Sequence, residues 1–366
     1  MRIVVIGAGV FGASTAYHLV KAGAEVVIVD AAHAGRATAA GAGIVNPWST
    51  RAENPDGYRL AAGGARYYPD LLGQLAEDGE DDTGYRRVGA LSVTADAGEL
   101  AMMERLIRSR QATAPEAGEV SRLSPKAARE LFPPLREDLA AVHVSGAARV
   151  DGRRMAAALL RAAAKRGAVR RDGMASVLTV GERVTGVRAD GETIEADAVV
   201  VTAGAWAPHL LQPLGIPLAI EPQRGQIVHL QLPGVETGPW PVVLPLSDHY
   251  LLTFDGGRVV VGATRETGSG FDYRVTAGGL AKVLQDALGI APGLATATIV
   301  ETRIGFRPMP QGMTPVLGLV PGKPGLAIGN GLGPSGLTIG PYAGKLLAQL
   351  VLQGRAEIDL LPYRPC

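Results

Sequence analysis

The chain has 366 residues, with 36 lysines and arginines against 35 aspartates and glutamates, so its formal net charge is +1. That balance, without any basic run, leaves nucleic acid no electrostatic footprint. The one cysteine, Cys366, excludes intramolecular disulfides and a cysteine-based zinc cluster and fits a reducing, cytoplasmic location; no other metal site is expected.

Such a length suits two domains or one large discontinuous one. No stretch reaches the roughly eighteen apolar residues of a spanning helix, so no transmembrane segment is expected. The chain opens directly on a strand, which leaves no room for a signal peptide.

Residues 2–6 read as a strand, followed by Gly7-x-Gly9-x-x-Gly12, a helical stretch to Gly23 and a second strand ending on Asp30. This is a dinucleotide-binding βαβ unit. Gly7 permits the tight turn, Gly9 lets backbone approach a pyrophosphate and Gly12 lets helix and sheet pack closely. Val10 and Phe11 begin the helix, whose N-terminus offers free N–H groups to phosphates. Asp30 is placed to accept hydrogen bonds from ribose hydroxyls, which disfavours NADP.

Residues 86–94 read as a strand and 96–112 as an amphipathic helix with Leu100, Met103, Leu106 and Ile107 on one face. Ser124-Pro125 marks another helix start. From 149, Val150-Asp151 leads into an alanine-rich helix over 154–166, ended by Gly167. Short strands follow near 174–180 and 184–189. A buried strand from Asp197 runs into Gly204 and Trp206, another parallel α/β element that would join the first sheet.

Residues 216–304 read as an antiparallel sheet, with Asp255-Gly-Gly as a hairpin turn. The tail returns to a strand from Leu326, a glycine-rich turn through Gly331, Gly333, Pro334, Ser335 and Gly336, and a helix over 337–353. Uncovered N–H groups at such a turn favour an anion, and a reduced flavin carries negative charge at its N1 and C2 oxygen.

These motifs, in this order and over the whole length, resemble the FAD-dependent D-amino-acid oxidase family, most closely its glycine oxidase and D-amino-acid dehydrogenase branch. The resemblance is carried by Gly7-x-Gly9-x-x-Gly12 with Asp30, Thr38 to Ile44, Val150-Asp151, Thr202 to Trp206, Pro222 to Gln226, Gly262-Ala-Thr264, Gly305-Phe-Arg307-Pro308 and Gly329 to Gly340.

The resemblance implies an α/β fold, α+β overall: a Rossmann-like FAD-binding domain with a central parallel sheet, interleaved with an antiparallel-sheet substrate domain. The FAD domain is expected from 1–85, 141–215 and 305–366, and the substrate domain from 86–140 and 216–304. Noncovalent FAD would be held by Gly7, Gly9, Val10, Phe11, Gly12 and Asp30; by Thr38, Ala39, Gly43 and Ile44; and by Val177 near the adenine. Ala203, Gly204 and Trp206, Arg307, and the tail residues Gly331, Gly333, Pro334, Ser335, Gly336, Leu337 and Thr338 complete the set. His33 and Cys366 do not match the positions of a covalent flavin link.

For substrate, the resemblance points to Arg307 as the carboxylate fork and to Tyr250 as the hydroxyl that assists it. Arg265 falls where glycine oxidases carry an apolar residue; it is expected to favour a substrate with a second acidic group. Trp48 and Arg51 follow the flavin-contacting segment and have two readings, one wall of the cavity or, for the aromatic, mere packing.

The implied reaction oxidises the C–N bond of glycine, a D-amino acid or an N-substituted glycine to an imine by hydride transfer to flavin N5, without a dedicated base. Hydrolysis then gives a 2-oxo acid and an amine or ammonia. Dioxygen or a quinone-type acceptor would take the electrons, and a homo-oligomer remains open. The alternatives are an FAD-dependent 2-hydroxy-acid dehydrogenase, an NAD-dependent opine-type dehydrogenase and a non-catalytic flavoprotein.

Overall fold

The structure, a computed structural model, describes residues 1–51 and 54–365. Its first sheet has six strands in the order Val316–Leu319, Leu326–Asn330, Ala198–Val201, Arg2–Ile6, Glu25–Asp30 and Val169–Asp172, all parallel except the first. The central strands are nearly unbroken Val and Ile because both faces are covered. The helices Val10–Lys21, Gly152–Lys165, Pro55–Glu77 and Gly336–Gln353 build the layer on one face, where Leu19, Leu71, Leu159 and Leu346 share a core. On the other face lies a three-stranded antiparallel sheet, Ala175–Val180, Arg183–Ala189 and Glu192–Glu195, which packs Val184 and Val187 against Val4, Ile6 and Val27.

The second large sheet has eight strands in the order Thr298–Pro310, Ile220–Gln231, Arg258–Gly262, Tyr250–Thr253, Val242–Pro245, Ala90–Thr94, Ala140–Val144 and Val120–Leu123. Its pairs are antiparallel except Val242–Pro245 with Ala90–Thr94. One face packs on helix Ala277–Ile290 through Val228, Val261, Val283 and Ala287. The other faces the first sheet across the site. The Phe306 N–H donates to the Gly35 carbonyl at 2.9 Å, so strand Thr298–Pro310 is tied directly to the loop after Glu25–Asp30.

Several expectations shift. The strand expected over 86–94 is two, Arg86–Arg87 and Ala90–Thr94, separated at Val88 and Gly89. The expected boundary at 141 cuts strand Ala140–Val144, which pairs with two strands of the eight-stranded sheet. That at 305 falls inside the unbroken strand Thr298–Pro310. Helix Pro55–Glu77 and edge strand Val169–Asp172 had no clear sequence signal: two adjacent glycines and an internal Pro69 interrupt the one, and all four residues of the other are exposed.

Asp151 joins the two layers. Its carboxylate accepts from the Arg153 and Arg154 N–H groups at the start of helix Gly152–Lys165 and from Arg258 Nη2 at 3.1 Å in the eight-stranded sheet. Burial pushes this carboxyl up, but the backbone N–H groups and Arg258 outweigh it and hold it below the ordinary aspartate value. A carboxyl whose folded pKa is depressed stabilises the fold at neutral pH, and the benefit disappears as pH falls through that value. Asp151→Ala is therefore expected to cost about 1–2 kcal/mol in denaturant melts at pH 7, with the gap to wild type narrowing below about pH 4.

Candidate active site

A cavity of about 710 Å³ is lined from both large sheets. It opens beyond the carboxyl ends of the parallel strands, where α/β sheets place ligands. At one end are Asp30, His33, Arg36 and Ser176; along its length run Gly7, Gly9, Val10, Phe11, Thr38, Gly43, Ile44, Ala203, Gly204 and Trp206. Tail residues Gly331, Gly333, Pro334, Gly336 and Leu337 line it too, and at the far end are Tyr250, Asp248, Arg265 and Arg307. Residues some three hundred positions apart thus share one space.

Five of the expected cofactor residues do not line it. Gly12 serves packing: an added Cβ there would run into the Gly7 carbonyl and lie 2.5 Å from Thr202 Oγ1. Ala39 turns its carbonyl to Arg153 Nε at 2.9 Å. Val177 packs into the core beneath the three-stranded sheet, because strand alternation gives the cavity to Ser176 instead. The Ser335 N–H donates to the Leu332 carbonyl within the short turn before the last helix, and Thr338 Oγ1 donates to the Ile44 carbonyl at 2.9 Å.

At the phosphate end, helix Val10–Lys21 begins at Gly9 in extended backbone without a side-chain cap. Thr38 Oγ1 accepts from the Val10 N–H at 3.0 Å, and helical geometry leaves the next two N–H groups without intrahelical partners. Asp30 is engaged on both oxygens. The Ala8 N–H donates to Oδ2 at 2.6 Å; the Ala32 N–H and Arg36 Nη1 donate to Oδ1 at 2.8 and 3.2 Å. Of the roughly four acceptor positions of a carboxylate, about one is left for a ligand hydroxyl. His33 stacks on Trp206 with centroids 4.7 Å apart, and Phe271 stacks on the other side at 5.0 Å.

At the other end, Arg307 Nη1 donates to the Thr264 carbonyl at 3.1 Å and reaches the Gln223 Oε1 at 3.4 Å. It forms no ion pair among the described residues. The guanidinium lies against bare backbone at Gly225, where an added Cβ would sit 2.6 Å from both Nη atoms. Burial lowers its pKa, against the opposing pull of Tyr250. Burial likewise raises the Tyr250 phenol, while the charges of Arg307 and Arg265 pull it down.

Glu266 braces this end. Its carboxylate accepts from Thr264 Oγ1 at 2.6 Å, Gln226 Nε2 at 2.7 Å and Arg224 Nε at 3.0 Å. Burial pushes the Glu266 carboxyl up, but those three donors prevail and keep it below its usual range. Backbone bonds run both ways between Arg224 and Glu266, and Thr264 N–H donates to the Gln226 carbonyl. Arg265 sits between two residues so fixed.

Arg265 lines the cavity as expected, but it is paired: Nη2 is 3.0 Å from Asp248 Oδ1. Trp48 is 1% exposed and belongs to the core, and Arg51 donates to the Leu246 carbonyl at 2.7 Å; neither lines the cavity. Cys366 lies outside the described residues. Sequence reading missed Asp248, Arg36, Phe271 and the Glu266 brace. Asp248 carried one weak signal, a turn position two residues before Tyr250.

Comparison with known proteins gives matches over essentially the whole chain. A family model described as FAD dependent oxidoreductase matches residues 2–350. An uncharacterized oxidoreductase of Bacillus subtilis, YurR, is 53% identical over 363 residues, covering 99% of this chain and 98% of the relative. Glycine oxidase of Pseudomonas aeruginosa is 32% identical over 370 residues, covering 100% and 98%. The crystal structure of iminodiacetate oxidase from Chelativorans sp. BNC1 superposes with a TM-score of 0.97 at 55% identity, covering 100% of this chain and 99% of that one.

FAD fits what the cavity offers: two free N–H groups at a helix N-terminus behind a glycine turn, one spare carboxylate acceptor at the Asp30 end and the glycine-rich backbone of the tail turn. Gly12→Ala is expected to yield folded protein with little bound flavin, read as the ratio of visible to 280 nm absorbance. Gly225→Ala should keep its flavin yet displace Arg307, seen as weaker binding of a carboxylate that perturbs the flavin band.

Proposed function

Because the chain belongs to the DAO family of FAD-dependent oxidoreductases, we propose that it oxidises the C–N bond of an N-substituted glycine carrying a second carboxylate, of which iminodiacetate is the model compound. The observation that carries this reading is the pair of guanidinium groups, Arg307 and Arg265, lining one cavity end beside Tyr250. With Asp248 counted, that group sums to one positive charge. A zwitterionic glycine is neutral, whereas a protonated dicarboxylic amine is a monoanion and complements it. The name of the 55% identical relative, iminodiacetate oxidase, supports the same substrate class.

Arg307 takes the carboxylate of the carbon to be oxidised. Its Nη1 is already aimed by the Thr264 carbonyl, so little freedom is lost on binding. Tyr250 adds a hydroxyl on the same wall, and Arg265 receives the acidic arm. When bound, noncovalent FAD supplies the two-electron acceptor that C–N oxidation requires. Positioning is the chain's contribution: among the described residues no lysine or glutamate lines the cavity. The amine loses two electrons and two protons to become an imine, and water cleaves it to a 2-oxo acid and an amine. Iminodiacetate would thus give glyoxylate and glycine, with dioxygen or a quinone-type acceptor reoxidising the flavin.

Steady-state assays of glyoxylate release test this. Arg307→Lys loses the fork and is expected to raise KM by about ten- to a hundredfold for every carboxylate substrate. Arg265→Ala should raise KM for iminodiacetate while changing that for glycine or sarcosine much less. An unchanged order of preference in Arg265→Ala would remove the dicarboxylate reading.

A further inference from the structure

The two guanidinium groups at the Tyr250 end of the cavity are in different states. Among the described residues Arg307 has no ion-pair partner; its hydrogen-bond neighbours are neutral, the Thr264 carbonyl, Gln223 and the Tyr250 hydroxyl. Arg265 meets a carboxylate, Asp248, at 3.0 Å. Asp248 comes from the turn between strands Val242–Pro245 and Tyr250–Thr253, and it lines the same cavity. Its side chain is 71% exposed and that of Arg265 40%, so the pair is open to exchange with a dissolved anion. Arg265 has no other ion-pair partner among the described residues, and its backbone is held from both sides by Thr264 and Glu266.

Resting on the dicarboxylate reading above, we infer that Asp248 is a specificity-determining residue, an internal carboxylate that competes with the substrate's acidic arm for Arg265. A monocarboxylate takes Arg307 and leaves the Asp248–Arg265 pair intact. A dicarboxylate bound at both guanidinium groups displaces Asp248 into solvent. An exposed ion pair of this kind is weak, so the displacement is cheap, and it still discriminates: only an anion of the right reach recovers the lost contact. Asp248 also sets the charge of the cavity end. Without it the two arginines present two positive charges instead of one, and affinity for a second carboxylate rises.

The test uses holoenzyme and non-reacting anions. Glutarate has the chain length of iminodiacetate and no C–N bond; butyrate lacks the second carboxylate. Each is titrated against the bound flavin's visible spectrum in wild type, Asp248→Asn, Arg265→Ala and the double variant. The ratio of glutarate to butyrate affinity is expected to rise about two- to fivefold in Asp248→Asn and to lose that gain when Arg265 is also replaced. A ratio that stays constant or falls in Asp248→Asn overturns the inference, since Asp248 would then merely prop Arg265. If Asp248→Asn raises the ratio while no amine bleaches the flavin, the reaction assignment fails and the competition for Arg265 stands.

Discussion

A guanidinium withdrawn from water without a carboxylate beside it is the constraint around which the substrate end is built. Arg307 is partly buried, has neutral oxygens for neighbours and lies against Gly225, where any side chain would displace it. Burying a cation costs free energy that a nearby anion restores. Among the described residues the one carboxylate at this end, Asp248, is paired with Arg265, so a bound carboxylate is the natural complement of Arg307. The long pairing of Ile220–Gln231 with Thr298–Pro310 sets Gln223 opposite Arg307 and Gly225 opposite Gly305. It fixes the arginine on a strand rather than a loop, and strands hold geometry more tightly.

The same strand joins substrate and cofactor regions. Through the Phe306 N–H it hydrogen-bonds Gly35, five residues past Asp30, in the loop that lines the Asp30 end of the cavity. The segment from Thr264 onward makes a second link. It begins by holding Arg307, is pinned at Glu266 to Gln226 and Arg224, and delivers Phe271 onto Trp206. The contacts that place the two arginines are thus continuous with those that close over the far part of the cavity. A change in either region is felt in both.

The legibility of the sequence follows the range of the interactions. Gly7 to Asp30 could be read directly because strand, turn, helix and acid are consecutive and each has a local reason. Arg307 and Tyr250 are singled out only by the resemblance of the ordered motifs to a family; nothing in their immediate neighbourhood marks them. The side chain of Val177 turns away from the cavity because a strand's two faces differ by one residue, and register decides which face meets the cavity. Trp48 is a large apolar side chain whose burial could be foreseen, although not the direction in which it points. Asp248 and Glu266 gain their significance from partners brought by other strands and turns, Arg265 and Gln226, which pattern alone does not pair.

Selection of a dicarboxylic secondary amine for C–N oxidation by Arg307 and Arg265 is read most directly in the reductive half-reaction. Holoenzyme is mixed without oxygen with iminodiacetate, glycine, sarcosine and D-amino acids at equal concentration, and the flavin band is followed. Iminodiacetate is expected to bleach the band fastest, with glyoxylate formed in stoichiometric amount. Bleaching at least as fast by glycine or sarcosine, or none by iminodiacetate, would contradict that selection.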